Sequence, residues 1–349
     1  MKFDVFLPSL LVSPDWFAES APPRLPAIEA LLARGVMSTT ELWPAALFSA
    51  DNVAHSGHAR AIASFAALGD GIETGAQGWM FAEPVHFQAD RDALNLFPSS
   101  HLNITAGEAA LLIEALNTNF ADRGLLFSFG TSGNWYVCCS VDELPQTTSI
   151  RAAQRGTIFE KLPKSRGTLN WKAIQNEAQM LFHSHAVNDT REAAGQMTIN
   201  GLWFWGEGIL PPPPTGLKPS IDAVFGDTPL AKGLARWVGA PFASLSELAI
   251  ADAVLHANHN LLVISALERF HERGDIKESL QIARQLEVQI FAPLLAALRD
   301  GTIDELVLTL PRNRDSLVVR VDAKSFRGLT SWWKSMTQRP RSFLASSLA

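Results

Sequence analysis

The chain has 349 residues, is 47% hydrophobic and 18% charged, and carries a formal net charge of −6. Ample apolar content excludes a disordered chain, and a pI near 5.9 excludes a basic nucleic-acid-binding surface. The only two cysteines are neighbours, Cys138 and Cys139, which excludes a disulfide scaffold and leaves room for one large domain or two.

The N-terminal stretch MKFDVFLPSLLVSPDW is broken by Asp4 and Pro8 and does not read as a secretory signal. No window reaches the roughly 18 apolar residues that span a bilayer. The expectation is a soluble cytoplasmic protein with no membrane and no nucleic-acid partner.

Residues 3–12 read as a buried strand that Pro8 bends or ends. Residues 25–34 have helical spacing, with Pro26 in the first turn and Gly35 at the end. A second short helix over 58–69 runs into a glycine-rich stretch, Gly69 to Gly78. Thr105 with Glu108 three residues on predicts a capped helix start. Residues 124–139 read as a hairpin around Thr131–Asn134, and 170–186 as an amphipathic helix. An apolar strand then opens into the turn Gly201–Gly208, and Pro211–Pro214 follow as extended chain. Strands at 220–225, 261–267, 305–310 and 316–321 alternate with helices at 229–238 and 276–299. Trp332 and Trp333 fall on a last short helix. This alternation predicts an α/β fold with a mostly parallel sheet covered by helices on both faces.

Three segments carry candidate chemistry. Asn200 to Gly208 puts Trp203 and Trp205 on one strand face, followed by Gly206 and Gly208, which permit close backbone approach. A ligand-facing turn and plain tryptophan packing both fit this pattern. His183 to Arg191 holds two histidines, Asn188 and Arg191; a guanidinium fork suits phosphate or carboxylate, while helix-end capping is the alternative. The polar stretch 82–92 includes His86, Asp90 and Arg91, which fit either a ligand loop or a surface ion-pair loop. His256 and His259 fit one helix face. Nucleotide-binding glycine motifs and a GxSxG nucleophile are missing.

In this order, the pieces resemble the archaeal-type cofactor-independent phosphoglycerate mutases of the alkaline phosphatase superfamily. The resemblance rests on Ile104–Asn117, Asn134–Val137, Leu144–Thr148 with Gly156 and Leu162-Pro163, His183–Arg191, Asn200–Gly208 and Asp227–Gly239. It covers most of residues 100–240 and more weakly the ends. The stretches AEPVHFQADRDAL at 82–94 and WFWGEG at 203–208 also resemble a bacterial branch labelled phosphoglycerate mutase-like or RpfE-type regulatory proteins.

The resemblance implies an alkaline-phosphatase-like core at residues 1–85 and 198–349, with an inserted α+β domain at 86–197. It also implies two divalent metals (Mn, Mg or Zn) and a Ser or Thr nucleophile. The metals need a carboxylate after the first strand, an Asp–His pair, and an Asp-His dipeptide after a late strand. Here the first strand ends in FLPSLL, and ELVLTL is followed by Pro311-Arg312-Asn313-Arg314-Asp315. Only Glu268, His271 and Asp275 echo the middle ligands, at altered spacing. The expectation is therefore a non-catalytic regulatory protein with no cofactor, binding a small phosphorylated or carboxylated metabolite and a regulatory protein partner.

The expected ligand contacts are Asn188, Arg191, Asn200, Trp205, Gly206 and Gly208, with His86, Asp90 and Arg91 at an inter-domain cleft. One alternative is an active phosphoglycerate mutase or phosphatase that holds two metals on the displaced Glu268, His271 and Asp275. Another is a protein-binding module anchored by Trp332 and Trp333.

Overall fold

The computed structural model describes residues 1–10, 24–40, 61–90, 94–154, 157–213, 221–248, 257–268, 276–311 and 315–326. Among these the chain begins β1 (Lys2–Phe6), α1 (Pro26–Arg34), β2 (Val36–Thr40), α2 (Ile62–Gly69), β3 (Gly78–Ala89) and β4 (Leu94–Phe97). It continues α3 (Ala106–Phe120), β5 (Leu126–Phe129), β6 (Trp135–Cys139), α4 (Ile150–Ala153), α5 (Trp171–His183), α6 (Ala186–Ala193) and β7 (Gly201–Ile209). It closes with β8 (Ala223–Gly226), α7 (Pro229–Val238), β9 (Phe242–Ala243), β10 (His259–Val263), α8 (Ile276–Leu286), α9 (Ala292–Asp300), β11 (Glu305–Pro311) and β12 (Ser316–Asp322). No helix among the described residues is long and apolar enough to cross a membrane. Trp332 and Trp333 lie outside the described residues, as does His256.

The chain divides into two compact units, Met1–Ala46 with Pro213–Ala349, and Leu47–Pro212. The second unit is wider than the expected insert at 86–197. The reason is strand pairing: β3 and β7 run antiparallel to each other from Gly78↔Ile209 to Val85↔Gly201, so both belong to the second unit's sheet. Periodicity finds a strand but does not name its partner.

The first unit holds a seven-stranded sheet in the order β2-β12-β11-β1-β10-β8-β9. Its centre is parallel, as expected, while β12 and β2 extend it antiparallel. Phe3, Val5, Leu262, Ile264, Leu306 and Leu308 join one core with α1, α8 and α9. The alternate residues Leu261, Val263 and Val307 are buried as well. A parallel sheet covered on both faces needs such continuous apolar strands. Gly35 lets α1 turn directly into β2, because a Cβ there would sit 2.3 Å from Val319 Cγ1.

The helix expected over 276–299 is interrupted by a π-helical turn, Glu287–Phe291. Pro293 cannot donate a backbone hydrogen bond to the preceding turn. The turn sets the buried Glu287 carboxylate against α1, where it accepts from the N–H groups of Ala27 (2.5 Å) and Ile28 (3.2 Å). A carboxylate at a helix N-terminus satisfies orphan donors and complements the helix dipole.

The second unit holds an antiparallel sheet, β4-β3-β6-β5, with β7 on the other edge of β3. Met80, Ala82, Leu202 and Phe204 pack with α3 and α5 on one face. Trp79, Phe81, Tyr136 and Cys138 pack with α2 in a separate cluster. The Thr105–Glu108 capping box forms as expected. The amphipathic helix ends at His183, earlier than expected, and His185 caps a separate α6 through Nδ1, accepting from the Val187 N–H.

Candidate functional site

Most of the sequence-predicted residues gather in the second unit on β3, α6 and β7. Arg191 is 1% exposed. Its Nε donates to the Met197 carbonyl (2.7 Å), Nη2 to the Leu102 carbonyl (2.5 Å) and Nη1 to Glu108 (2.8 Å). Burial pushes the Glu108 carboxyl up, but hydrogen bonds from Thr105 and Arg191 outweigh it and hold it below the usual carboxylate range. The guanidinium thus ties α6 to the start of α3 and the loop before it.

Asn188 is equally committed. Its Nδ2 donates to the Phe182 and Ile199 carbonyls, and its Oδ1 accepts from the Ile199 N–H. Asn200 behaves as a one-residue strand extension: Oδ1 accepts from Phe87 N (2.7 Å) and Nδ2 donates to Phe87 O (2.9 Å). His86 Nδ1 donates to the Thr198 carbonyl at 2.8 Å. These amide and guanidinium groups, expected at an anion, spend their hydrogen bonds on the protein's own frame.

The glycines make room for protein. A Cβ on Gly208 would lie 2.5 Å from Ala61 Cα, so glycine lets the start of α2 seat on β7. Gly206 has φ +72°, a left-handed conformation, with Phe81 and the Ala63 backbone close by. Asp90 is exposed. Arg91 lies outside the described residues.

Trp205 leads to a residue that the sequence did not single out. Its indole stacks on Phe81 at 4.5 Å and its Nε1 donates to Glu83 Oε2 at 3.0 Å. The other carboxylate oxygen, Oε1, accepts from Ser99 Oγ (2.9 Å) and Ser99 N (3.3 Å). Burial raises the Glu83 carboxyl above the usual range against the pull of these donors. The signal was an acid at an inward position of the alternation Trp79, Phe81, Glu83, Val85. Ser99 and Trp205 stand 16 and 122 residues away, so local pattern could not supply them.

In the first unit, the carboxyl ends of the parallel strands are where open α/β sheets place ligands. After β1 come Leu7, Pro8, Ser9 and Leu10, all buried. Ser9 has φ +67°, uncommon for a residue other than glycine. Beyond β11, Ser316 opens β12 opposite Pro311 and is fully buried, and its hydroxyl has no hydrogen-bond partner. After β8, Asp227 Oδ1 accepts from Ser244 Oγ and Leu245 N. Asp4, the only acid in β1, is its middle residue, and its carboxylate meets Nε2 of His259, the first residue of β10, at 2.6 Å. His259 opens β10 and so is a strand residue, contrary to the helix-face expectation.

These residues do not fit a two-metal centre. The end of β1 supplies aliphatic and hydroxyl groups where a hard cation needs carboxylates. Among the described residues no group of three or more His, Cys, Asp or Glu side chains is placed to hold a metal. Glu268 lies in the helical stretch 266–268 that follows β10, its N–H bonded to the Ser265 carbonyl, while His271 and Asp275 lie outside the described residues.

No family model matches the chain, and no curated protein matches it. Among solved structures, the PH0037 protein from Pyrococcus horikoshii is 15% identical, with 92% of this chain and 87% of that one covered and a TM-score of 0.54. A cofactor-independent phosphoglycerate mutase from Thermoplasma acidophilum is 14% identical over 99% of both chains, with a TM-score of 0.44. The PH0037 likeness establishes a shared fold. That fold is mixed α/β with a large, parallel-rich sheet, as the alkaline-phosphatase-like expectation required.

Proposed function

We propose that the chain is a phosphoglycerate mutase-like regulatory protein of the RpfE-type bacterial branch, with no metal cofactor. It binds a small phosphorylated or carboxylated metabolite at the carboxyl ends of the first unit's strands and does not turn it over. The observation that carries this reading is the presence of hydroxyls at the ends of β1 and β11, where the resemblance implies acids. Ser9 follows β1, and the Ser316 hydroxyl is buried and unpaired beside the end of β11. Neutral hydroxyl donors can bond an anionic oxygen without a cation between them, whereas carboxylates there would repel it. The commitment of Arg191, Asn188 and Asn200 to main-chain partners supports placing the ligand away from them. The likeness of residues 82–94 and 203–208 to the bacterial branch supports the regulatory role.

Thermal shift with a panel of phosphorylated and carboxylated metabolites tests binding, because a ligand of the native state raises Tm. The expected result is a rise with at least one compound, abolished by Ser316→Ala, without added metal. Turnover of phosphoglycerate with stoichiometric bound Mn or Mg, lost in Glu268→Ala, would instead establish the active mutase.

A further inference from the structure

The last described residue of the first unit is Phe326. Its ring centroid lies 4.7 Å from Arg34 Cζ on α1 and 5.8 Å from Arg299 Cζ on α9. Arg34 Nη1 also donates to the Ser325 carbonyl at 3.2 Å. Burial, and next the like charge of Arg299, push the Arg34 guanidinium below its usual range. Residue 326 is thus pinned to α1 and α9 with two cations beside it, and Lys324 is exposed two residues earlier.

Residues 327–349 lie outside the described residues, and their sequence is unlike the rest of the chain. They hold Arg327, Lys334, Arg339 and Arg341 and no aspartate or glutamate. The whole chain has a net charge of −6, so this stretch at +4 leaves −10 on residues 1–326. Leu329, Trp332, Trp333 and Met336 recur at helical spacing, and Arg327, Lys334 and Arg341 recur every seven residues on the opposite arc. Pro340 divides the stretch, and Phe343 and Leu344 resume the apolar arc beyond it. Basic residues on one arc with Trp, Phe and Leu on the other are the pattern of a segment that lies in a lipid–water interface. Tryptophan suits that place, because its ring is apolar while its N–H wants a polar partner.

We propose that residues 327–349 bind an anionic lipid surface, with Trp332 and Trp333 entering its interface and the basic residues meeting its headgroups. Phe326, clasped by Arg34 and Arg299, ties the segment to the first unit. Charge complementarity selects the surface: four cations without one acid attract a negatively charged leaflet. A nucleic acid would meet the same cations, but leucine and methionine in the apolar arc offer no face on which bases stack. The expectation of no membrane partner followed from spanning windows alone, and an interfacial segment needs none.

Co-sedimentation of the full chain with mixed phosphatidylglycerol–phosphatidylcholine vesicles, beside pure phosphatidylcholine vesicles, tests this. The expected result is binding about tenfold or more tighter to the anionic vesicles, weakening as salt rises. Lys334→Ser with Arg341→Ser weakens it by about tenfold or more, and so does Trp332→Ser with Trp333→Ser, each at an unchanged melting temperature. No binding to either vesicle, or equal binding to both, would overturn the proposal. So would a melting temperature lowered by the tryptophan substitutions, which would put the pair inside the protein's own core. A duplex oligonucleotide or polyglutamate bound as tightly as the anionic vesicles would overturn it too, in favour of a nucleic-acid or an acidic protein partner.

Discussion

In the second unit, Arg191 and Asn188 lie inside the fold with carbonyl, amide or carboxylate partners for each side-chain group that reaches one, and Glu83 takes three donors. Gln175 leaves its Oε1 unpaired there. In the first unit, the Asn260 Oδ1 and the hydroxyls of Ser279 and Ser316 are buried with no hydrogen-bond partner. Native structures keep few such groups, and each calls for a reason. The contrast separates two kinds of distinctive residue. In the second unit, conspicuous polar residues complete a frame. In the first, one unpaired hydroxyl, that of Ser316, stands beside the carboxyl end of a strand.

Breaking the frame gives the largest effect. Arg191→Ala strands Glu108 and two carbonyls, and is expected to destabilise by about 3–5 kcal/mol in urea unfolding. Arg191→Lys should recover little, since an ammonium cannot reproduce the fork to three separate acceptors. A loss below 1 kcal/mol would mean that the guanidinium is not structural.

Asn188→Ala leaves Ile199 N–H and two carbonyls without their partner and should cost about 1–3 kcal/mol. Ser316→Ala tests the opposite case. Removing an unpaired buried hydroxyl should stabilise the ligand-free protein by up to about 1 kcal/mol while abolishing the ligand-induced rise in Tm. Equal losses in both variants would erase the distinction between the units.

Acid titration gives the smallest effect. The Glu108 carboxyl is held below the usual range, so the folded state binds its proton less readily than the unfolded chain. Its stabilisation is full above the unfolded value of about 4.3 and fades as pH falls through the lower folded value. Glu108→Gln should therefore flatten the fall of Tm between neutral and acid pH. The Glu83 carboxyl, raised by burial, runs the other way: its contribution is present at acid pH and weakens as pH rises through the folded value.

Local signals were legible wherever the physics was local. Thr105 and Glu108 marked the start of α3, and Pro26 with Gly35 bounded α1, because a cap involves residues a few positions apart. The mostly parallel sheet followed from alternating strands and helices. β2 and β4 escaped because strands of only four or five residues owe their existence to the neighbours they pair with. The break between α5 and α6 turned on a histidine acting as cap, an unusual choice.

The site was harder to read for the same reason. Arginine, asparagine and glycine have the chemistry of an anion site, and that chemistry serves main-chain carbonyls and a close-packed helix just as well. Arg191 meets its farthest acceptor 89 residues away, at Leu102, and Asn200 reaches Phe87 across 113. Only the placement of partners separates a frame from a site. The missing carboxylates after β1 were visible in the sequence, while the unpaired Ser316 hydroxyl needed the fold.

The most direct test of a ligand-binding, metal-free, non-catalytic protein is a phosphoglycerate mutase assay with added Mn²⁺ or Mg²⁺, run beside metal analysis of the same purified sample. The account predicts no turnover above the uncatalysed rate and no stoichiometric metal. Turnover accompanied by about two bound divalent ions per chain, as two-metal phosphoryl transfer requires, would contradict it.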